Sequence, residues 1–182
     1  HDAGKGGTTS APYSSGQYNV AMGYQALTGF TTGATNIAVG NYSLDAVTTG
    51  YANIGIGYYA GSALTTGYRN VIIGENAGDS VDNVHSLVLI GHNAGTSINS
   101  SDAYGSVLIG AYTGDAITSG QRNTAIGRNN LSTLTTGDDN ISIGDQAMET
   151  HLTGLRNIAI GNNAMYDTNA GSTAQDSDDN IF

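Results

Sequence analysis

Nine times along the chain a tetrad of apolar, small or apolar, apolar and glycine residues returns, as VAMG, IAVG, IGIG, VIIG, VLIG, VLIG, TAIG, ISIG and IAIG. Its glycines are Gly23, Gly40, Gly57, Gly74, Gly91, Gly110, Gly127, Gly144 and Gly161, and the steps between them are 17, 17, 17, 17, 19, 17, 17 and 17 residues. This periodicity constrains the fold more than any other feature, because so short a unit cannot bury an apolar face alone and must stack on its neighbours. Seventeen residues are too few for a pair of helices, and the β-branched residues at alternate places of the tetrad match the two-residue alternation of a strand. The pattern predicts an all-β protein with essentially no helix, a parallel β-solenoid or β-roll of about nine 17-residue coils.

With the tetrad glycine at position 5, one unit reads Asn, apolar, small, apolar, Gly, two variable residues, Ala, Leu or Gly, two variable residues, an apolar residue, Thr-Thr-Gly and two variable residues. Asn opens seven of the nine units, as Asn19, Asn36, Asn53, Asn70, Asn123, Asn140 and Asn157. Positions 1 to 4 predict a short strand, 5 to 7 a tight glycine turn, 8 to 13 a second extended segment, and Thr-Thr-Gly the turn home. At about 4.8 Å per coil, nine coils make a rod on the order of 43 Å long. Residues that did not define the register test it, since equal positions of successive coils become neighbours. Arg122, Asp139 and Arg156 alternate in charge at position 17, Arg128 meets Asp145 at position 6, Tyr42 meets Tyr59 at position 7, and Tyr51 meets Tyr68 at position 16.

The repeats span residues 19–165. Residues 1–18 form an N-terminal segment in which Tyr13 to Tyr18 read as the closing part of a preceding coil. Residues 166–182 form an acidic loop followed, at Asn180-Ile181, by the start of a further coil. Both ends of the array therefore read as cut coils, whose edges suit end-to-end pairing into a filament. The 19-residue fifth unit and the long ninth unit are expected to project loops at about 99–105 and 167–179, because extra residues must leave the coil. A coil this small has a thin core, with positions 2, 4, 9 and 12 supplying its apolar volume, so a single chain is under-buried. The other face of the strand carries Asn at position 1, Ala21, Ala38, Gly55, Ala125, Ser142 and Ala159 at position 3, and Gly at position 5. These are the residue sizes of a close-packed axis between chains, and a homotrimer about that axis is the expectation.

The composition removes several functions. Fifteen acidic against five basic residues give a formal net charge of −10, which repels phosphate backbones, so nucleic acid is not an expected partner. The absence of Cys removes disulfide frameworks, thiolate nucleophiles and cysteine zinc sites. No apolar run approaches the roughly 18 residues of a membrane span, and the first residues lack the apolar stretch of a signal peptide. Membrane insertion is not expected, and any export signal has been removed or lies outside this chain.

The units NIAVGNYSL, NTAIGRNNL, NISIGDQAM and NIAIGNNAM, each followed by a TTG-like turn, resemble the head β-roll of trimeric autotransporter adhesins, the YadA-like heads. They are more similar still to the Asn-x-Ala-Ile-Gly arrays of phage tail-fibre proteins and of bacterial surface proteins that end in an intramolecular chaperone. The resemblance runs from Asn19 to about Met165. It implies a homotrimeric fibre segment, extracellular, on a cell surface or on a virion, that attaches to a receptor or host surface. The coil here is longer than that of the adhesin head, and the motif is a packing code that carries no ligand.

No constellation points to an enzyme, a cofactor or a metal. Gly4-Lys5-Gly6-Gly7-Thr8-Thr9 lacks the spacing and the preceding strand of a phosphate loop and reads as a flexible terminus. His1 has no ligating partners close in the repeat, and His85, His92 and His151 belong to separate coils or corners. His92 above Glu75 at position 6 is an acid–base pair by type, but without a nucleophile or cleft it reads as a solvated pair. Asp176, Asp178 and Asp179 lack the glycine-aspartate repeat of calcium-binding rolls and read as a solvated loop. Thr arrays on solenoid faces suggest ice binding as a third reading, although the Thr-Thr-Gly ladder is broken at Asp82-Asn83, Asn99-Ser100 and Asn169-Ala170. The binding candidates are Tyr24, Tyr42, Tyr51, Tyr58, Tyr59 and Tyr68, at positions 6, 7 and 16 of the first three units. Exposed rings with a hydroxyl rim suit glycan or receptor contact, and the alternative is that they stack on one another or on a neighbouring chain as ladder residues.

Overall fold

The computed structural model describes residues 2–6 and 14–166. Nine three-residue strands follow in order: β1 (Val20–Met22), β2 (Ile37–Val39), β3 (Ile54–Ile56), β4 (Val71–Ile73), β5 (Val88–Ile90), β6 (Val107–Ile109), β7 (Thr124–Ile126), β8 (Ile141–Ile143) and β9 (Ile158–Ile160). They form one parallel sheet in sequence order, each residue opposite its equivalent in the next repeat, from Val20 opposite Ile37 to Ile141 opposite Ile158. The protein is an all-β parallel solenoid of about eight full turns, with no helix among the described residues. Coils 1 to 9 are counted here from the position-1 residues of β1 to β9.

The second extended segment expected at positions 8 to 13 is absent. Positions 6 to 11 form a run of turns instead, as at residues 41–46. The backbone passes through the left-handed region at positions 7 and 9, where Tyr42 has φ 57° and Leu44 φ 50°, and again at position 17, where Ala52 has φ 56°. Each such non-glycine residue costs roughly 1–2 kcal/mol. The cost is offset by hydrogen bonds to both neighbouring coils: Tyr42 N–H donates to Tyr24 O on one side (2.9 Å) and Leu44 N–H to Ala60 O on the other (3.0 Å). Position 5 admits only glycine. Gly40 has φ 130°, and a Cβ there would lie 2.3 Å from the carbonyl oxygen of Gly57 in the next coil.

The strand presents the face opposite to the one expected. Position 3 points into the coil, with Ala38, Ile72, Leu89, Leu108, Ala125 and Ala159 fully buried, while positions 2 and 4 point outward. The small residues at position 3 therefore line the coil interior and not an axis between chains, and positions 2 and 4 belong to the surface and not to the core. Positions 9 and 12 are interior as expected, through residues such as Leu44, Leu131, Val47 and Leu134.

The narrow interior explains the inversion, because positions 3 and 9 trade volume within a coil. Ala38 goes with Leu44 and Ala125 with Leu131, whereas Ile72, Leu89 and Leu108 go with Gly78, Gly95 and Gly114. A Cβ on Gly114 would lie 2.8 Å from Leu108 Cδ1, and one on Gly95 2.9 Å from Leu89 Cδ2, so the large residue occupies the space its glycine leaves. Coil 3 has glycine at both places, Gly55 and Gly61. Leu44 of coil 2 and Ile72 of coil 4 reach in, with a Cβ on Gly61 falling 2.9 Å from Leu44 Cδ2 and 2.9 Å from Ile72 Cδ1.

Position 1 also points inward and forms an asparagine ladder. Asn53 donates its backbone N–H and its Nδ2 to Oδ1 of Asn36, each at 3.0 Å, and Nδ2 also to Gly67 O at the Thr-Thr-Gly corner of its own coil (2.9 Å). Asn70 repeats this on Asn53. Leu87 and Ser106 interrupt the ladder, which resumes through Asn123, Asn140 and Asn157. A buried amide stitched on both sides satisfies groups that a coil interior would otherwise leave orphaned.

Residues 2–6 lie against coil 1. Gly4 N–H donates to Ala26 O (2.8 Å), the bond that position 9 makes elsewhere, and Gly6 is buried, so Gly4-Lys5-Gly6 is not a free terminus. In the fifth coil the two extra residues form a turn closed by Ala103 N–H to Ser100 O (3.0 Å), with Ser101 and Asp102 exposed at its tip, where a loop is expected. The expected loop at 167–179, the partial coil at Asn180-Ile181, the acidic cluster Asp176, Asp178 and Asp179, and His1 lie outside the described residues.

Candidate functional site

Turning positions 2 and 4 outward gives the solenoid a flat face covered by aliphatic side chains. Two columns run its length, Val20 to Ile158 at position 2 and Met22 to Ile160 at position 4, and Thr124 is the one polar residue among them. Ile37, Ile56, Ile126, Ile141 and Ile143 are each more than a third exposed. Seventeen partly open aliphatic side chains over the nine strands leave on the order of 1,000 Å² of apolar surface, above the roughly 300–600 Å² of the largest patch on an ordinary monomer. No charge interrupts it.

Aromatic columns stand at both ends of the strands. After the strand, at positions 6 and 7, Tyr42 and Tyr59 stack at 4.8 Å and 3°. Tyr24 packs edge-on against Tyr42 (5.3 Å), and Tyr58 edge-on against Tyr59 (4.4 Å). Before the strand, at position 16, Tyr51 and Tyr68 stack at 5.0 Å and 3°, and the column continues through His85 (4.7 Å) to Tyr104 (5.3 Å). Arg69 lies over Tyr51 and Tyr68, and Arg122 over Tyr104. The six candidate tyrosines are thus two groups: Tyr24, Tyr42, Tyr58 and Tyr59 on one corner, Tyr51 and Tyr68 on the other. Sequence reading missed His85 and Tyr104 as members of the second column, although both fall at position 16 once the two inserted residues are allowed for. Because parallel rings turn their faces to one another, an incoming molecule meets mainly ring edges and hydroxyls. Burial and the neighbouring Tyr24 raise the Tyr42 phenol above its ordinary pKa, and a hydrogen bond to Tyr58 together with burial raises that of Tyr59.

Toward the C-terminus the same corners become ionic. Arg122 makes a bidentate pair with Asp139 (2.6 and 2.9 Å), whose carboxyl it holds below the usual range, and Arg128 pairs with Asp145 (3.1 and 3.2 Å). His92 packs edge-on against Tyr112 (5.0 Å). The position-13 threonines spend their hydroxyls on the next coil, as in Thr31 Oγ1 to Thr48 O (3.1 Å) and Thr118 Oγ1 to Thr135 O (3.2 Å). His151 is fully buried at position 12, where the preceding coils carry apolar residues, and burial lowers its pKa. Burial likewise raises the carboxyls of Asp45 and Asp115, both at position 10. Among the described residues no group of three or more His, Cys, Asp or Glu is placed to hold a metal, and no helix is long and apolar enough to cross a membrane.

Compared with models of protein families, with curated proteins and with solved structures, the chain has no match.

Proposed function

We propose that this solenoid is a structural and adhesive segment of an extracellular or virion fibre, that it works as a homotrimer, and that it has no catalytic role. The observation that carries this reading is the uncharged aliphatic face running the full length of the sheet. Its area on the order of 1,000 Å² matches what one partner contributes to a stable protein interface, about 800 Å². The strip is only two side chains wide, about 7 Å between positions 2 and 4. Three such strips meeting around an axis parallel to the rod enclose a continuous aliphatic column, with two side chains from each chain in every layer. Parallel alignment puts like coils side by side, so one sequence pattern serves all three chains. The aromatic and ionic corners then flank the interface and remain as the surface for receptor or glycan contact.

The test is the mass of the purified chain by light scattering at micromolar concentration, with Ile73→Lys and Ile90→Lys placed mid-face. A trimer for the wild type and a folded monomer for the double variant is the expected result. A monomeric wild type refutes self-assembly, and a dimer refutes the threefold arrangement. Attachment is tested separately on a glycan array, where Tyr42, Tyr58 and Tyr59 changed to Ser should reduce binding without altering the mass.

A further inference from the structure

Coil 3 is the course of the solenoid with least interior of its own. It carries glycine at both volume-trading positions, Gly55 and Gly61, and borrows Leu44 and Ile72 from its neighbours. It also marks the change from coils with a small residue at position 3 and leucine at position 9 to coils with the reverse. At this course both corners carry a tyrosine pair bridging coil 2 to coil 3. Tyr42 and Tyr59 lie 4.8 Å apart, Tyr51 and Tyr68 5.0 Å apart, and each pair is within 3° of parallel.

We propose that Tyr42–Tyr59 and Tyr51–Tyr68 are sites of oxidative cross-linking to dityrosine, two covalent staples that clamp coil 3 to coil 2 at either end of the strand. The chemistry requires a one-electron oxidant of the peroxidase class acting with hydrogen peroxide. Each phenol gives up one electron and one proton, and the two phenoxyl radicals join through ring carbons ortho to oxygen. The ortho hydrogens then pass to the phenolic oxygens as the rings regain aromaticity. One C–C bond forms, two hydrogens are lost, and one peroxide is reduced to two waters. Radical coupling needs both partners together within the radical's lifetime, and the ladder holds them so without diffusion. Each link closes a 17-residue step of chain and restricts the unfolded state as a disulfide does. The chain has no cysteine with which to make a disulfide.

Position, and not exposure, selects these pairs. Tyr18 is the most open tyrosine among the described residues, at 81%, and has no ring contact there, while Tyr58 and Tyr59 are close at 4.4 Å but inclined at 71°. The experiment treats the full chain with peroxidase and hydrogen peroxide, then reads dityrosine fluorescence, intact mass, a denaturing gel and cross-linked peptides. Expected are the loss of two hydrogens per link, chains that still run as single chains, peptides joining 42 to 59 and 51 to 68, and a raised melting temperature. The Tyr59→Phe, Tyr68→Phe double variant keeps the stacked rings without those phenols and should fold while losing both links. Links mainly between chains, links confined to Tyr58–Tyr59 or involving Tyr18, or an undiminished yield from the double variant would overturn the assignment.

Discussion

Coil 7 carries Ala125 and Leu131 at the two interior positions that trade volume, and coil 6 beneath it carries Leu108 and Gly114. Changing Ala125→Leu and Leu131→Gly together converts the upper coil to the packing of the lower. Alone, Leu131→Gly removes a fully buried side chain, a loss of about 2–5 kcal/mol. Glycine returns about 1 kcal/mol of that, because position 131 sits at φ 52°. Ala125→Leu alone forces a large side chain against Leu131 and costs about 1–3 kcal/mol. The singles together should therefore cost about 2–7 kcal/mol, while the double variant should lie within about 1 kcal/mol of the wild type. Urea unfolding followed by circular dichroism measures all four proteins, with midpoints compared at equal m-values and amide exchange of coils 6 to 8 as a local readout. A double variant as unstable as the two singles summed would refute the claim that positions 3 and 9 share one space.

Two other perturbations follow from the interior. His151 is buried with its folded pKa below the ordinary 6.5. The unfolded chain therefore takes up the proton first, and stability should decline as pH falls below about 6.5, by no more than about 1.4 kcal/mol per unit. Asp45 and Asp115, with raised folded pKa values, shift stability in the opposite sense. The urea midpoints of the wild type and of His151→Leu at about pH 7.5 and about pH 5.5 isolate the histidine, and an identical pH slope in both would refute its role. Asn53→Ala leaves Gly67 O and Asn70 N–H without their side-chain partner, at about 1–3 kcal/mol each. A loss below about 1 kcal/mol in the same assay would mean that the ladder is dispensable.

The repeat length, the parallel register and the cross-coil pairs were legible in the sequence, because stacking turns spacing directly into adjacency. Tyr42 on Tyr59 and Arg122 on Asp139 needed nothing more than arithmetic. The direction of the strand was not legible from hydrophobicity, since Ile37 and Val39 outside are as apolar as Leu89 and Leu108 inside. The missing signal was volume: Ala38 with Leu44 against Leu89 with Gly95 is a compensation that only a shared interior requires. The second extended segment failed for a different reason. Residues such as Tyr42 and Leu44 do not advertise a left-handed backbone, which only the bonds to the coils on both sides make tolerable. The same limit hid the candidate surface, because an aliphatic column assigned to the core cannot be seen as a face.

Inside each run of the asparagine ladder the side-chain amides point the same way, the nitrogens of Asn53, Asn70, Asn140 and Asn157 each reaching back to the amide oxygen of the coil before. Such a row is a string of aligned dipoles, and it gives the rod a sense of direction independent of the strands. Each asparagine within a run uses the acceptor of the coil before it and offers its own to the coil after, so the two edges of a coil are not interchangeable and coils stack in one orientation only.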